Sequence, residues 1–402
     1  MINRRSICPL VSATVALALG APAAAWGQEV GPYDPLGIRA GAFLIYPSLT
    51  VSEVYDDNVF ATDNNTDDDL ITVIEPQVRA ESNFSRHRLG FAAGSEVALH
   101  INEEDEDYQD FYVSTDGRLD ITRQNFVDAE VQFARGHDSR DDPEDEGDRD
   151  ELDLFNRYGG ELSFTQLFNR LNFRITGRTS RTAYEDSDEA DRDRNVYDAL
   201  LRTGFFVSPR INTFIEGRYN IEKRDRSTDF GGVDRDSEGW GVAAGAEVDL
   251  TNLLVGEFSI GYRQQMFDED DFDDEDGISY DVDLTWTPTL LTTVGLRGGA
   301  DFRPTTSSGS GAESNFRSAA GVGVQHELLR NVRLGADFDY VHDDFSGIDR
   351  ADDTIYVGGG ASYLLNRNFS IDAGYTFSKR WSDDEDEEFD RNLVRIGVTA
   401  RL

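Results

Sequence analysis

The chain has 402 residues, with 78 acidic against 38 basic side chains, a formal net charge of −40 and a mean hydropathy of −0.51. That excess of acid repels nucleic acid and anionic surfaces alike, and removes both from the set of partners. The low hydropathy excludes a bundle of transmembrane helices but not a β-barrel, whose strands meet lipid only at every second residue.

The chain opens with a positive start at Arg4 and Arg5, an apolar run over residues 10–21, and the small residues Ala23-Ala24-Ala25-Trp26-Gly27. This is the plan of a secretory signal over residues 1–27, cut after Ala25 or Gly27. The run is shorter than the roughly 20 residues a membrane-spanning helix needs. Cys8 precedes it and is expected to leave with it, so the mature chain would have no thiol, disulfide or cysteine-held metal.

Beyond the signal no amphipathic helix of ordinary length can be read, and strand-like segments continue to the last residue. Short turns at residues 123–124, 168–169, 208–209, 251–252, 289–290, 328–329 and 366–367 alternate with long acidic connections. The latter cover residues 56–69, 102–107, 137–151, 185–194, 224–236, 268–277, 303–313, 343–353 and 381–390. Between them the pattern has a period of two. Trp240, Val242, Ala244, Ala246, Val248 and Leu250 oppose Gly241, Ala243, Gly245, Glu247 and Asp249. Farther on, Phe369, Ile371, Ala373, Tyr375 and Phe377 oppose Ser370, Asp372, Gly374, Thr376 and Ser378. Such alternation suits a sheet with a different solvent on each face.

An open sheet edge in lipid would strand backbone donors and acceptors at several kcal/mol each, so the last strand is expected to pair with the first. The fold class is therefore all-β: a transmembrane antiparallel up-and-down barrel of about 18 strands, with acidic extracellular loops and short periplasmic turns. Residues 28–42 are expected as a short periplasmic segment and residues 43–402 as the barrel. Crossing the hydrocarbon should take roughly 9–11 residues per strand. Interfacial girdles are expected from Tyr55, Tyr108, Tyr184, Tyr280, Phe267, Tyr340 and Trp381 at one rim, and from Phe84, Phe126, Phe168, Trp286 and Phe369 at the other.

The segment Gly37-Ile38-Arg39-Ala40-Gly41-Ala42-Phe43-Leu44-Ile45-Tyr46-Pro47-Ser48-Leu49, followed by Tyr55-Asp56-Asp57-Asn58-Val59-Phe60, resembles the opening of the putative β-barrel porin 2 family. The resemblance implies an outer-membrane barrel, in a family often associated with exopolysaccharide or capsule production. It brings no catalytic residues.

Alternation assigns Arg174, Arg178, Glu216, Arg218, Glu257, Arg263, Arg297, Asp301, Arg333, Asp337, Asp372 and Arg395 to the lumen as pore-lining candidates of both signs. A porin-like channel for hydrophilic solutes, linked to polysaccharide export, is the first expectation. The alternative is a non-conducting structural or adhesive barrel. No loop stands out as a constriction, and all nine are expected to face the exterior. Carboxylates at 268–277 and 383–388 could hold Ca²⁺ or Mg²⁺ weakly, but they lack EF-hand spacing, so solvated loops are the plainer expectation. No other cofactor is implied. The histidines His87, His100, His137, His326 and His342 are scattered and form no local nucleophile motif, so no enzyme is expected. Expected partners are outer-membrane lipid and lipopolysaccharide, the barrel-assembly machinery and polysaccharide export components.

Overall fold

Alternating side chains along the chain are expressed as one antiparallel sheet that closes on itself. The computed structural model describes residues 31–144, 152–226, 228–229, 232–250, 253–269, 272–305 and 312–402. The signal segment with Cys8 and its cleavage site, the turn at 251–252, and parts of the connections 137–151, 224–236, 268–277 and 303–313 lie outside the described residues.

A short strand, β1 (Ile38–Ala40), turns at Gly41 onto the start of β2 (Phe43–Asp56). The wall continues through β3 (Asp69–Ser82), β4 (Arg88–His100), β5 (Tyr108–Asp120), β6 (Asn125–His137), β7 (Leu154–Phe168), β8 (Leu171–Tyr184) and β9 (Arg194–Ser208). It goes on with β10 (Ile211–Arg224), β11 (Ser237–Leu250), β12 (Leu254–Phe267), β13 (Glu275–Thr289) and β14 (Thr292–Pro304). It ends with β15 (Ser314–Leu329), β16 (Val332–Phe345), β17 (Arg350–Leu364), β18 (Phe369–Ser382) and β19 (Phe389–Arg401). Each strand pairs with the next, and β19 closes onto β2 from Leu393 opposite Asp56 to Arg401 opposite Ser48. The wall has 18 strands, β2 to β19, as the count of turns and loops predicts.

The closing seam is fastened by side chains at the rim that carries the long connections. Arg391 forms an ion pair with Asp56, and Asp57 accepts from the Asn392 backbone N–H at 2.6 Å and from Asn392 Nδ2 at 2.7 Å. Asn58 Nδ2 donates to the Asp390 carbonyl at 2.9 Å. The opening segment on which the family resemblance rests is thus half of a clasp.

Burial is inverted relative to a water-soluble protein. Val131, Ile260 and Ile278 are 66%, 62% and 65% exposed on the outer face, while Asp56 and Asp352 are 0% exposed on the inner face. Such a wall is stable only where acyl chains cover the outside.

Two expectations need correction. Strands run 13 to 16 residues, longer than the hydrocarbon requires, so they stand above it. Asp343, Asp344, Asp352 and Asp353, expected in a loop at 343–353, therefore lie on strands, and only residues 346–349 connect β16 to β17. There the inward Asp343 accepts from Asn315 at 2.9 Å and Asp352 from Arg350 at 2.7 Å. The girdles need the second correction. Tyr55, Tyr340, Trp381, Phe84, Phe168, Trp286 and Phe369 are exposed on the outer face, but Phe126, Tyr108 and Tyr184 point inward. Each shares its parity with inward polar neighbours, and closeness to a strand end does not override that parity.

Candidate functional site

The interior is identified by contacts between strands that are not neighbours in the wall. Arg218 of β10 reaches Asp301 of β14 at 3.3 Å, four strands away along the wall. Asp301 also pairs with Arg263 of β12, so two expected arginines share one expected carboxylate. Glu216 and Glu257 are brought together by Arg202, which the sequence reading did not single out. Its guanidinium lies 2.6 Å from Glu216 and 2.8 Å from Glu257. Its signal was available: Arg194, Asp198 and Arg202 fall on one face of β9.

The other candidates stand apart on the inner face. Arg174 donates to Thr165 at 3.0 Å, Arg178 pairs with Glu161 at 2.6 Å, and Arg297 holds Asp339 through two nitrogens. Arg395 pairs with Glu75, while Asp372 accepts from Ser370 at 3.1 Å and Thr399 at 3.3 Å. Arg333 lies 3.8 Å from Asp34 and Glu327 near the turn rim. Asp337 packs against Gly358, where a Cβ would stand 2.6 Å from its carboxylate.

Toward the loop rim residues 138–144, in the connection between β6 and β7, reach across the lumen, contrary to the expectation that no loop constricts it. Arg192 anchors the root of that loop, binding Asp138 and, at 2.9 Å each, Asp153 and Glu189. Tyr184 donates to Asp138 at 3.0 Å, with Arg192 stacked 4.2 Å over its ring. Arg140 forks onto Glu106 of the neighbouring connection at 2.7 Å and 3.2 Å. The segment then reaches the far wall. Tyr356 of β17 donates to Asp141 at 3.3 Å, Arg380 of β18 donates to the Asp141 carbonyl, and Arg350 donates to the Pro143 carbonyl at 3.0 Å. An acidic loop finds its place inside because the wall there is rich in arginine.

Burial raises the Asp138 carboxyl above the ordinary range even though Arg192 opposes it. Burial likewise raises Glu387, in the connection between β18 and β19, against Arg350 and Arg380. Outside the lumen the hydrogen bond from Arg135 holds Glu185 below the ordinary range, and that from Arg181 does the same for Asp225.

Each of the five histidines meets a different partner. His137 and His342 meet Asp110 and Asp353, His87 accepts from the Asp120 backbone, His100 lies beside Asp107, and His326 meets Thr292. None of these partners is a serine. Among the described residues no group of three or more His, Cys, Asp or Glu is disposed to hold a metal ion.

A closed, lipid-facing wall around a charged interior defines an outer-membrane β-barrel of the porin class. The chain matches the putative beta-barrel porin 2 family over residues 31–402 and belongs to that family. It is a multi-pass β-barrel protein of the outer membrane. No curated protein sequence matches it. Among solved structures it is similar in fold to OccK2 (OpdF) of Pseudomonas aeruginosa, at 11% identity and a TM-score of 0.48, covering 89% of this chain and 98% of that one. The BenF-like porin of Pseudomonas fluorescens Pf-5 gives 11% identity and a TM-score of 0.47, covering 89% and 99%. The copper transporter OprC gives 12% and 0.48, covering 92% and 81%.

Proposed function

We propose that the barrel is a channel for hydrophilic solutes and serves the export of an exopolysaccharide, as the family association suggests. The observation that carries the channel is water access to charge inside the wall. The side chains of Arg297, Asp301 and Arg178 face the interior and are 63%, 40% and 39% exposed. Charges of both signs along a wet passage bias which solutes go through. The twelve expected lumen residues line that passage in this reading, and none acts as a catalyst. At the outer surface, acidic loops bind Ca²⁺ or Mg²⁺ weakly and through them the phosphorylated headgroups of lipopolysaccharide. Assembly machinery inserts the barrel, and export components deliver the polymer from the periplasm.

A second reading, a closed scaffold, is favoured by the loop that spans the lumen. One measurement separates the two. Purified, folded protein in a planar bilayer should give discrete conductance steps. A folded preparation that gives none in any salt would leave the scaffold standing. For export, deletion of the gene should reduce surface polysaccharide, and an unchanged coat would remove that assignment while leaving the channel.

A further inference from the structure

The arginines that act on the crossing loop come from six strands of the wall between β9 and β19. Arg350 and Arg380 hydrogen-bond its carbonyls. Asp141 acts electrostatically on Arg391, Glu144 on Arg194 and Arg224, and both Asp142 and Glu144 on Arg303. These six belong to β9, β10, β14, β17, β18 and β19. Wall carboxylates answer part of their charge, since Asp56 pairs with Arg391, Asp352 with Arg350, Glu222 with Arg224 and Glu387 with both Arg350 and Arg380. The loop contributes carboxylates and backbone carbonyls, and Tyr356 adds a hydroxyl donor aimed at Asp141.

We infer that this collar is a binding site for carboxylated saccharides, and that the segment 138–144 occupies it as a tethered substitute. The site as built offers guanidinium forks and a phenol, all donors, toward the axis of a passage in a protein of net charge −40. Donors so placed recognise a solute that brings carboxylate and hydroxyl oxygens, and the loop occupant is itself a string of such acceptors. A neutral sugar would replace the loop's hydrogen bonds but not its charge. The inference rests on the channel reading and assigns the class of solute.

The test compares the wild-type protein with D141N/D142N/E144Q in planar bilayers, each shown to be folded by its altered gel mobility on boiling. In a KCl gradient the reversal potential of the variant should move toward chloride. Galacturonate should block the variant at about tenfold lower concentration than the wild type, the factor expected when one charge-assisted contact no longer competes. Galactose should block neither. Adding R350A/R380A should reverse the gain. Should the triple variant not fold, D141N alone, which removes the loop carboxylate that Tyr356 meets, must change galacturonate block in the same direction. A shift toward potassium, or galacturonate acting no better than galactose, overturns the inference while the channel stands. Folded protein silent in every form overturns the channel and the inference together.

Discussion

Arg391→Ala is expected to be among the costliest single changes in the wall. Asp56 is 0% exposed and bound by two guanidinium nitrogens of Arg391, with the Asn58 backbone N–H at 3.0 Å as a further donor. Truncating the arginine leaves that carboxylate buried with one backbone donor. Breaking a buried pair in this way costs about 3–5 kcal/mol. Arg178→Ala is the control, since its pair with Glu161 sits in the wet lumen with the arginine 39% exposed, where a loss of about 1 kcal/mol or less is expected. Urea unfolding of the barrel in lipid vesicles, followed by the fluorescence of Trp240, Trp286 and Trp381, reads both. An Arg391→Ala barrel within about 1 kcal/mol of wild type, or no less stable than the Arg178→Ala barrel, would refute the argument that the seam is held by this clasp.

Ile260→Arg should lower stability by about 2–4 kcal/mol because that side chain faces lipid near mid-wall, whereas Ser259→Arg, one residue away and facing the lumen, should lower it by less; equal losses in vesicle refolding would contradict the assigned parity. Gly256→Ala should cost about 1–3 kcal/mol, since its φ is +149° and a Cβ would stand 2.0 Å from the Asp283 carbonyl oxygen; an unaffected urea midpoint would count against it. For pH the sign follows from burial. Asp138, at the root of the seated loop, has a raised value, so protons favour seating, and this contribution is complete below the ordinary carboxylate range near ~4 and lost as pH rises through the raised value. Closed dwell times should therefore lengthen on acidification and do so less in D138N; dwell times that shorten with acid would reverse the assignment. Glu185 and Asp225 are depressed by their arginines, so their contribution is present above the ordinary range and fades only as pH falls through their lower values, a separate and more acidic window.

Alternation made the barrel legible because lipid and water impose opposite demands on successive residues, as Ile371 and Asp372 of β18 show. The same parity put all twelve lumen candidates on the inner face, and neglect of it misplaced Phe126, Tyr108 and Tyr184. The crossing loop was not legible. Its acids look like those of the other connections, and an arginine such as Arg140, bound to Glu106, has counterparts in Arg192 and Arg235. Which charge meets which also escapes a reading along the chain. The meeting of Arg218 and Arg263 at Asp301 depends on curvature that brings β10, β12 and β14 around one axis.

The clasp between Asp56 and Arg391 joins residues 335 positions apart. Its two halves lie on the first and last strands of the wall, so the ring can be sealed only after every strand between them has been made. Contacts this distant make for slow maturation. Until then the growing hairpin array carries an unmatched anion on its first edge and lacks the cation that neutralises it. That mismatch disfavours premature sealing by an earlier segment and gives the newcomer at the end a reason to find its proper neighbour.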